Sequence, residues 1–163
     1  GTAGAFLPHT NSLVWADYRI NGRSVGEIGI EACYAGHWGV PLILVQGDEA
    51  ACHEAAAQFP GVVTAAVKRA AHAELAEGPS AEEGRRLTAQ RVTEAVERLR
   101  AGRRPAPYGP ALPLRVTLRL TTVEEADKAA QRSGARRVDE RTIECHLGRY
   151  YDVFSWTAGS GAV

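Results

Sequence analysis

Apolar positions along the chain follow three rhythms, and each predicts a different element. From Ser12 to Arg23 an apolar and aromatic stretch (Leu13, Val14, Trp15, Tyr18, Ile20) runs into Asn21-Gly22. Both of those residues tolerate positive φ, so the pattern predicts a strand that turns there. Val25 to Trp38 has helical spacing with small residues on one side (Gly26, Gly29, Ala32, Ala35, Gly36), which predicts a closely packed, buried helix. Pro41 to Gly47 is a continuous apolar run, as in a strand covered on both faces in a parallel sheet. Asp48 is placed to cap a helix over 49–59, and Gly61 to Lys68 is a second β-rich stretch. Strand, helix and strand recur in the order of a βαβ unit.

Further on, Ser80 and Glu83 form a capping-box pattern opening a long helix, whose stripe is Val92, Ala95, Val96 and Leu99. Residues 101–111 are rich in Pro, Gly and Arg and read as a connector. Leu114 to Leu120 alternates in period two, predicting a half-exposed strand. A helix capped by Thr122 runs to Ser133, and residues 136–147 read as another strand. Residues 149–157 read as a closing helix with Tyr151, Phe154 and Trp156 inward. The expected architecture is α/β: a βαβ-type mixed sheet flanked by helices over residues 1–100, and a smaller strand–helix–strand lobe over 112–163.

Composition narrows the partners. The chain has 163 residues, and its 19 basic side chains balance 19 acidic ones. The Arg pairs at 85/86, 103/104 and 136/137 are scattered among acids, so nucleic-acid binding is not expected. No apolar run approaches a membrane span, and the start lacks the charged and apolar regions of a secretion signal; a cytoplasmic location is the expectation. Cys33, Cys52 and Cys145 are odd in number and far apart, which predicts buried free thiols rather than a disulfide framework.

The groups that could carry chemistry are His9, Asp17, Glu27, Glu31, His37, Asp48, Lys68 and His146, and they form no self-sufficient motif. His9 sits in a loop bounded by Gly4 and Pro8, where it is free to point into a cleft or to be an ordinary loop histidine. Glu27 opens an otherwise apolar helix, where a buried carboxylate would need a metal ion or the helix N–H groups to compensate it. Lys68 could hold substrate or structure at a strand end. Asp48 is first of all a helix cap.

Ile20-Asn-Gly-Arg-Ser-Val-Gly-Glu-Ile-Gly-Ile30, then Ala35-Gly-His-Trp-Gly-Val-Pro-Leu-Ile-Leu-Val-Gln-Gly-Asp48 and Thr64-Ala-Ala-Val-Lys68, resemble the M55 family of D-aminopeptidases in order and spacing. The opening Gly1-Thr-Ala-Gly-Ala-Phe-Leu-Pro-His9 resembles that family's segment carrying its catalytic histidine. The resemblance implies that residues 1–100 are the C-terminal part of a catalytic α/β domain. It implies a site with two zinc ions held by an Asp-x-Glu pair, two histidines and a later glutamate, with Glu27 as that glutamate and His9 as the catalytic histidine. The other ligands would lie upstream of Gly1, in a missing N-terminal half. Lys68 and Asp48 are weaker candidates for substrate contacts. The implied activity is hydrolysis of an N-terminal amide or peptide bond in a short peptide or peptide-like product, by a ring-forming homo-oligomer. Where the family has Asn-Ala and Gly-Asp-Asp, this chain has Glu31-Ala32 and Gly47-Asp48-Glu49, which leaves room for a biosynthetic amidase with shifted substrate preference. A non-catalytic binding or assembly subunit on the same fold is the other alternative.

Overall fold

The computed structural model describes residues 2–158; Gly1 and residues 159–163, the ends of the two expected segments, lie outside the described residues. The chain is mixed α/β, with one five-stranded and one three-stranded sheet, each with its own helices. It divides into two compact units, Gly1–Pro8 with Pro41–Pro107, and His9–Val40 with Tyr108–Val163.

The first unit holds the βαβ element. β3 (Leu44–Asp48) and β4 (Val63–His72) pair in parallel around α2 (Glu49–Gln58). A register shift between Gly47 and Asp48 sets Asp48 opposite Lys68. The Asp48 carboxylate accepts from the Ala51 N–H at 2.8 Å, as a cap should. A short antiparallel strand, β5 (Leu75–Glu77), completes this sheet. The long α3 (Ala81–Arg100) opens with the expected capping box at Ser80 and Glu83. Its stripe is shallower than the spacing suggests: Ala95 is buried, whereas Val92 is exposed. β3 is likewise not covered on both faces, since Gln46 is exposed.

The second unit is an antiparallel sheet in the order β2-β1-β6-β8-β7. β1 (Trp15–Ile20) and β2 (Arg23–Ser24) form the hairpin at Asn21-Gly22, with φ of 51° and 83°. The Asn21 side chain ties that turn to the start of β6 (Leu114–Leu120): its amide donates to the Ala111 carbonyl at 2.7 Å and its oxygen accepts from the Arg115 N–H at 2.8 Å. β6 is central, with Leu114, Val116, Leu118 and Leu120 all inward. α1 (Glu27–His37) buries Gly29, Ile30, Ala32 and Cys33 as its small face predicts. At Gly36 an added Cβ would lie 2.0 Å from the Tyr108 carbonyl oxygen, so only glycine fits.

Three expectations change. Residues 9–40 belong with 108–163, not with the rest of 1–100, because β1 hydrogen-bonds along β6 and both feed one apolar core. Residues 136–147 are a hairpin, β7 (Arg136–Asp139) and β8 (Thr142–Leu147), not one strand. After α4 (Val123–Ala129), the closing helix α5 (Tyr151–Ala158) turns Val153 and Trp156 inward, while Tyr151 and Phe154 remain exposed. The outward pair is not idle: Tyr34 of α1 lies 5.4 Å, centroid to centroid, from each of those rings.

Candidate functional site

His9 and Glu27 fall on one cleft of about 1080 Å³ in the second unit. The loop through His9 leads into a tight turn at Asn11, whose φ is 54°. That turn aims the Asn11 N–H at the Glu27 carboxylate, 3.1 Å away. Glu27 is the first residue of α1, where the free N–H groups favour an anion. The carboxylate is exposed, not buried. The burial argument for a metal at this position therefore lapses, and helix-end stabilisation accounts for the charge.

One turn further along α1, Glu31 lines the same cleft. Burial, and then the neighbouring Glu27 charge, push the Glu31 carboxyl above its ordinary range. The cleft wall opposite in sequence comes from α4, α5 and the segment after α4, with Glu125, Lys128, Arg132, Asp152 and Trp156 among its residues. Glu125 is held by Lys128 at 2.8 Å and Asp152 by Arg149 at 2.6 Å.

Asp48 and Lys68 belong to the first unit and do not line this cleft. Asp48 is almost fully buried and is already engaged twice, by the Ala51 N–H and by the Phe6 N–H at 2.7 Å. The Lys68 ammonium lies 4.6 Å from the Phe6 ring centroid, a cation–π contact. Both therefore hold the loop preceding His9 against the end of β3 and β4. The remaining candidates scatter: Asp17 accepts from Ser24 in the hairpin, His37 stacks edge-on against Trp38, and His146 approaches Glu144 on β8. Burial raises all three cysteine thiols, Cys33 to about 12, so none is a ready nucleophile or thiolate ligand.

A zinc ion needs three or four His, Cys, Asp or Glu donors around one point. Among the described residues no three such side chains gather closely enough to hold a metal ion. Glu27 can offer a carboxylate oxygen, but these residues do not by themselves fit the ion. Sequence reading missed Arg132 and Trp156 as cleft residues, since no motif marks either one and only tertiary packing brings them together.

Fold and cleft together define a mixed α/β protein with a histidine and the two carboxylates of α1 on a cleft of its antiparallel half. The solved structure of the Zn-dependent D-aminopeptidase DppA from Bacillus subtilis, described as a self-compartmentalizing protease, has the same fold, with a TM-score of 0.88 at 23% identity. That match covers 94% of this chain and 55% of the solved chain. A D-aminopeptidase of Bacillus subtilis (strain 168) is 48% identical over 52 residues, which are 32% of this chain and 19% of the relative. The chain thus spans about half the length of the solved relative. The family model Peptidase_M55, D-aminopeptidase, matches residues 1–158, and the chain belongs to that family.

Proposed function

We propose that this chain supplies part of the active site of a zinc-dependent hydrolase that removes an N-terminal residue, of D configuration, from short peptides or peptide-like amides. The observation that carries the reading is the placement of His9 and Glu27 on one cleft of a chain whose residues 1–158 match the D-aminopeptidase family model. His9 is the group that would move a proton at the scissile amide or stabilise charge developing on its oxygen. Glu27 is proposed as one metal ligand of a two-ion site, whose other ligands come from residues outside this sequence. The solved relative's description as self-compartmentalizing supports assembly of the whole protein into a homo-oligomer. Of the described residues, no helix is long and apolar enough to cross a membrane.

The test uses the protein bearing its full catalytic domain. Wild type should turn over D-amino-acid amides well above L-amino-acid amides, and His9→Ala should cut kcat by about 100-fold or more with zinc content unchanged. Glu27→Ala should lower the zinc content by metal analysis. Full turnover in His9→Ala would remove His9 from the chemistry. Absent turnover with no bound zinc in wild type would favour the non-catalytic subunit.

A further inference from the structure

Arg132 is a cation without an ion-pair partner among the described residues. It follows α4, lines the same cleft as His9, and is half-buried. Its guanidinium carbon lies 5.7 Å from the Trp15 ring centroid and 5.5 Å from that of Trp156, so two indoles hold it by cation–π attraction. The acids of this wall are already taken, Glu125 by Lys128 and Asp152 by Arg149. Among the described residues no ion pair reaches Arg132, and its Nη1 is buried without a hydrogen-bond acceptor. The indole Nε1 of Trp156 is in the same state, on a side chain more than nine-tenths buried. Burial correspondingly lowers the Arg132 pKa from its ordinary value.

Two orphaned N–H donors on neighbouring side chains, one of them cationic, are costly in an empty site. They become favourable when an anion with several acceptor oxygens arrives. A guanidinium edge matches a carboxylate in charge and in planar geometry. Both donors are sealed from bulk water, so the ligand engages them with a side-chain adjustment of Arg132 or Trp156.

We propose that Arg132, with the indole N–H of Trp156, binds the C-terminal carboxylate of a short peptide lying in the cleft that also carries His9 and Glu27. The assignment rests on the aminopeptidase reading for its substrate class, and it adds a preference within that class for peptides with a free carboxyl end over the corresponding amides. A peptide amide would leave the Arg132 charge uncompensated.

Binding tests this independently of turnover. The probes are N-acetyl-D-alanine and its amide, titrated into the full-length protein by calorimetry and followed by the indole N–H resonances. Wild type should bind the acid about tenfold or more tightly than the amide, the size expected of a charge-assisted hydrogen bond. The Trp156 resonance, assigned by its loss in Trp156→Phe, should shift with the acid. Arg132→Gln should abolish the preference, and Trp156→Phe, which keeps the ring but loses the donor, should weaken acid binding several-fold. Equal binding of acid and amide by wild type, or a preference that survives Arg132→Gln, would overturn the proposal. Should Arg132→Gln fail to fold, an unaltered preference in Trp156→Phe has the same force. A carboxylate preference without D-aminoacyl turnover would sink the aminopeptidase reading and leave this site standing.

Discussion

At the scale of single residues, the two carboxylates on α1 give the clearest energetic signature. Glu27 and Glu31 are four apart, so their side chains share one helix face. Glu27 occupies the favourable first turn; Glu31, exposed but partly desolvated, meets a like charge, and its carboxyl is pushed up. A carboxyl whose folded pKa is raised holds its proton more tightly in the folded state. Stability is therefore lost as pH rises from the ordinary carboxylate range through the raised value. Glu31→Gln should consequently stabilise the protein at pH 7 by about 0.2–0.5 kcal/mol, the size of an exposed like-charge pair, with the gain fading toward pH 4 and in high salt. Urea unfolding at the two pH values reads the difference; a variant less stable than wild type at pH 7 contradicts the account. Glu31 stood out in the sequence because it replaces an expected asparagine. Arg132 did not, because its meaning depends on Trp15 and Trp156, which lie far from it in the chain and meet it only through packing of β1 and α5.

At the scale of elements, local chemistry was legible where one or two neighbouring residues decide the outcome. Asp48 before α2, the capping box at Ser80 and the Asn21-Gly22 turn all form as their residue types dictate. The β7–β8 hairpin was not legible, since its turn at Glu140-Arg141 carries no Gly, Asn or Pro. The inward face of α5 differs from the expectation in part: aromatic size suggests burial for Tyr151 and Phe154, whereas Val153 and Trp156 take the core. Asp48 shows how an element-level role separates from a substrate-binding one. Its carboxylate ends two orphan N–H groups, those of Ala51 and Phe6. Asp48→Ala should cost about 1–3 kcal/mol, combining a lost helix cap with an unpaired backbone donor. Asp48→Asn, which keeps an acceptor oxygen, should recover much of the loss. Chemical denaturation measures both. A drop in substrate affinity in Asp48→Ala without any loss of stability would instead make Asp48 a substrate contact.

At the scale of the whole molecule, the sequence suggested a break near residues 101–111, where Pro, Gly and Arg accumulate. One division between the compact units does fall there, between Pro107 and Tyr108, but the second unit also takes in residues 9–40, which composition does not mark. Strand pairing is what joins them to it. β6, just after the Pro-rich stretch, hydrogen-bonds β1 on one side and β8 on the other, and Trp15, Tyr18, Ile20, Ile30 and Cys33 share its apolar core. Pairings between strands about 100 positions apart cannot be read from local periodicity, because alternation identifies a strand without naming its partner. A fragment of residues 112–163 would therefore expose one edge of β6 and the inward side chains Leu114, Val116, Leu118 and Leu120 that the full chain buries. An open apolar edge of that kind aggregates or fails to fold. The fragment should lack the dispersed amide resonances of a folded domain, whereas adding the 9–40 segment in trans or by a linker should restore them. A fragment of 112–163 that is monomeric and cooperatively folded would show that the C-terminal lobe is autonomous and that β1 only decorates it.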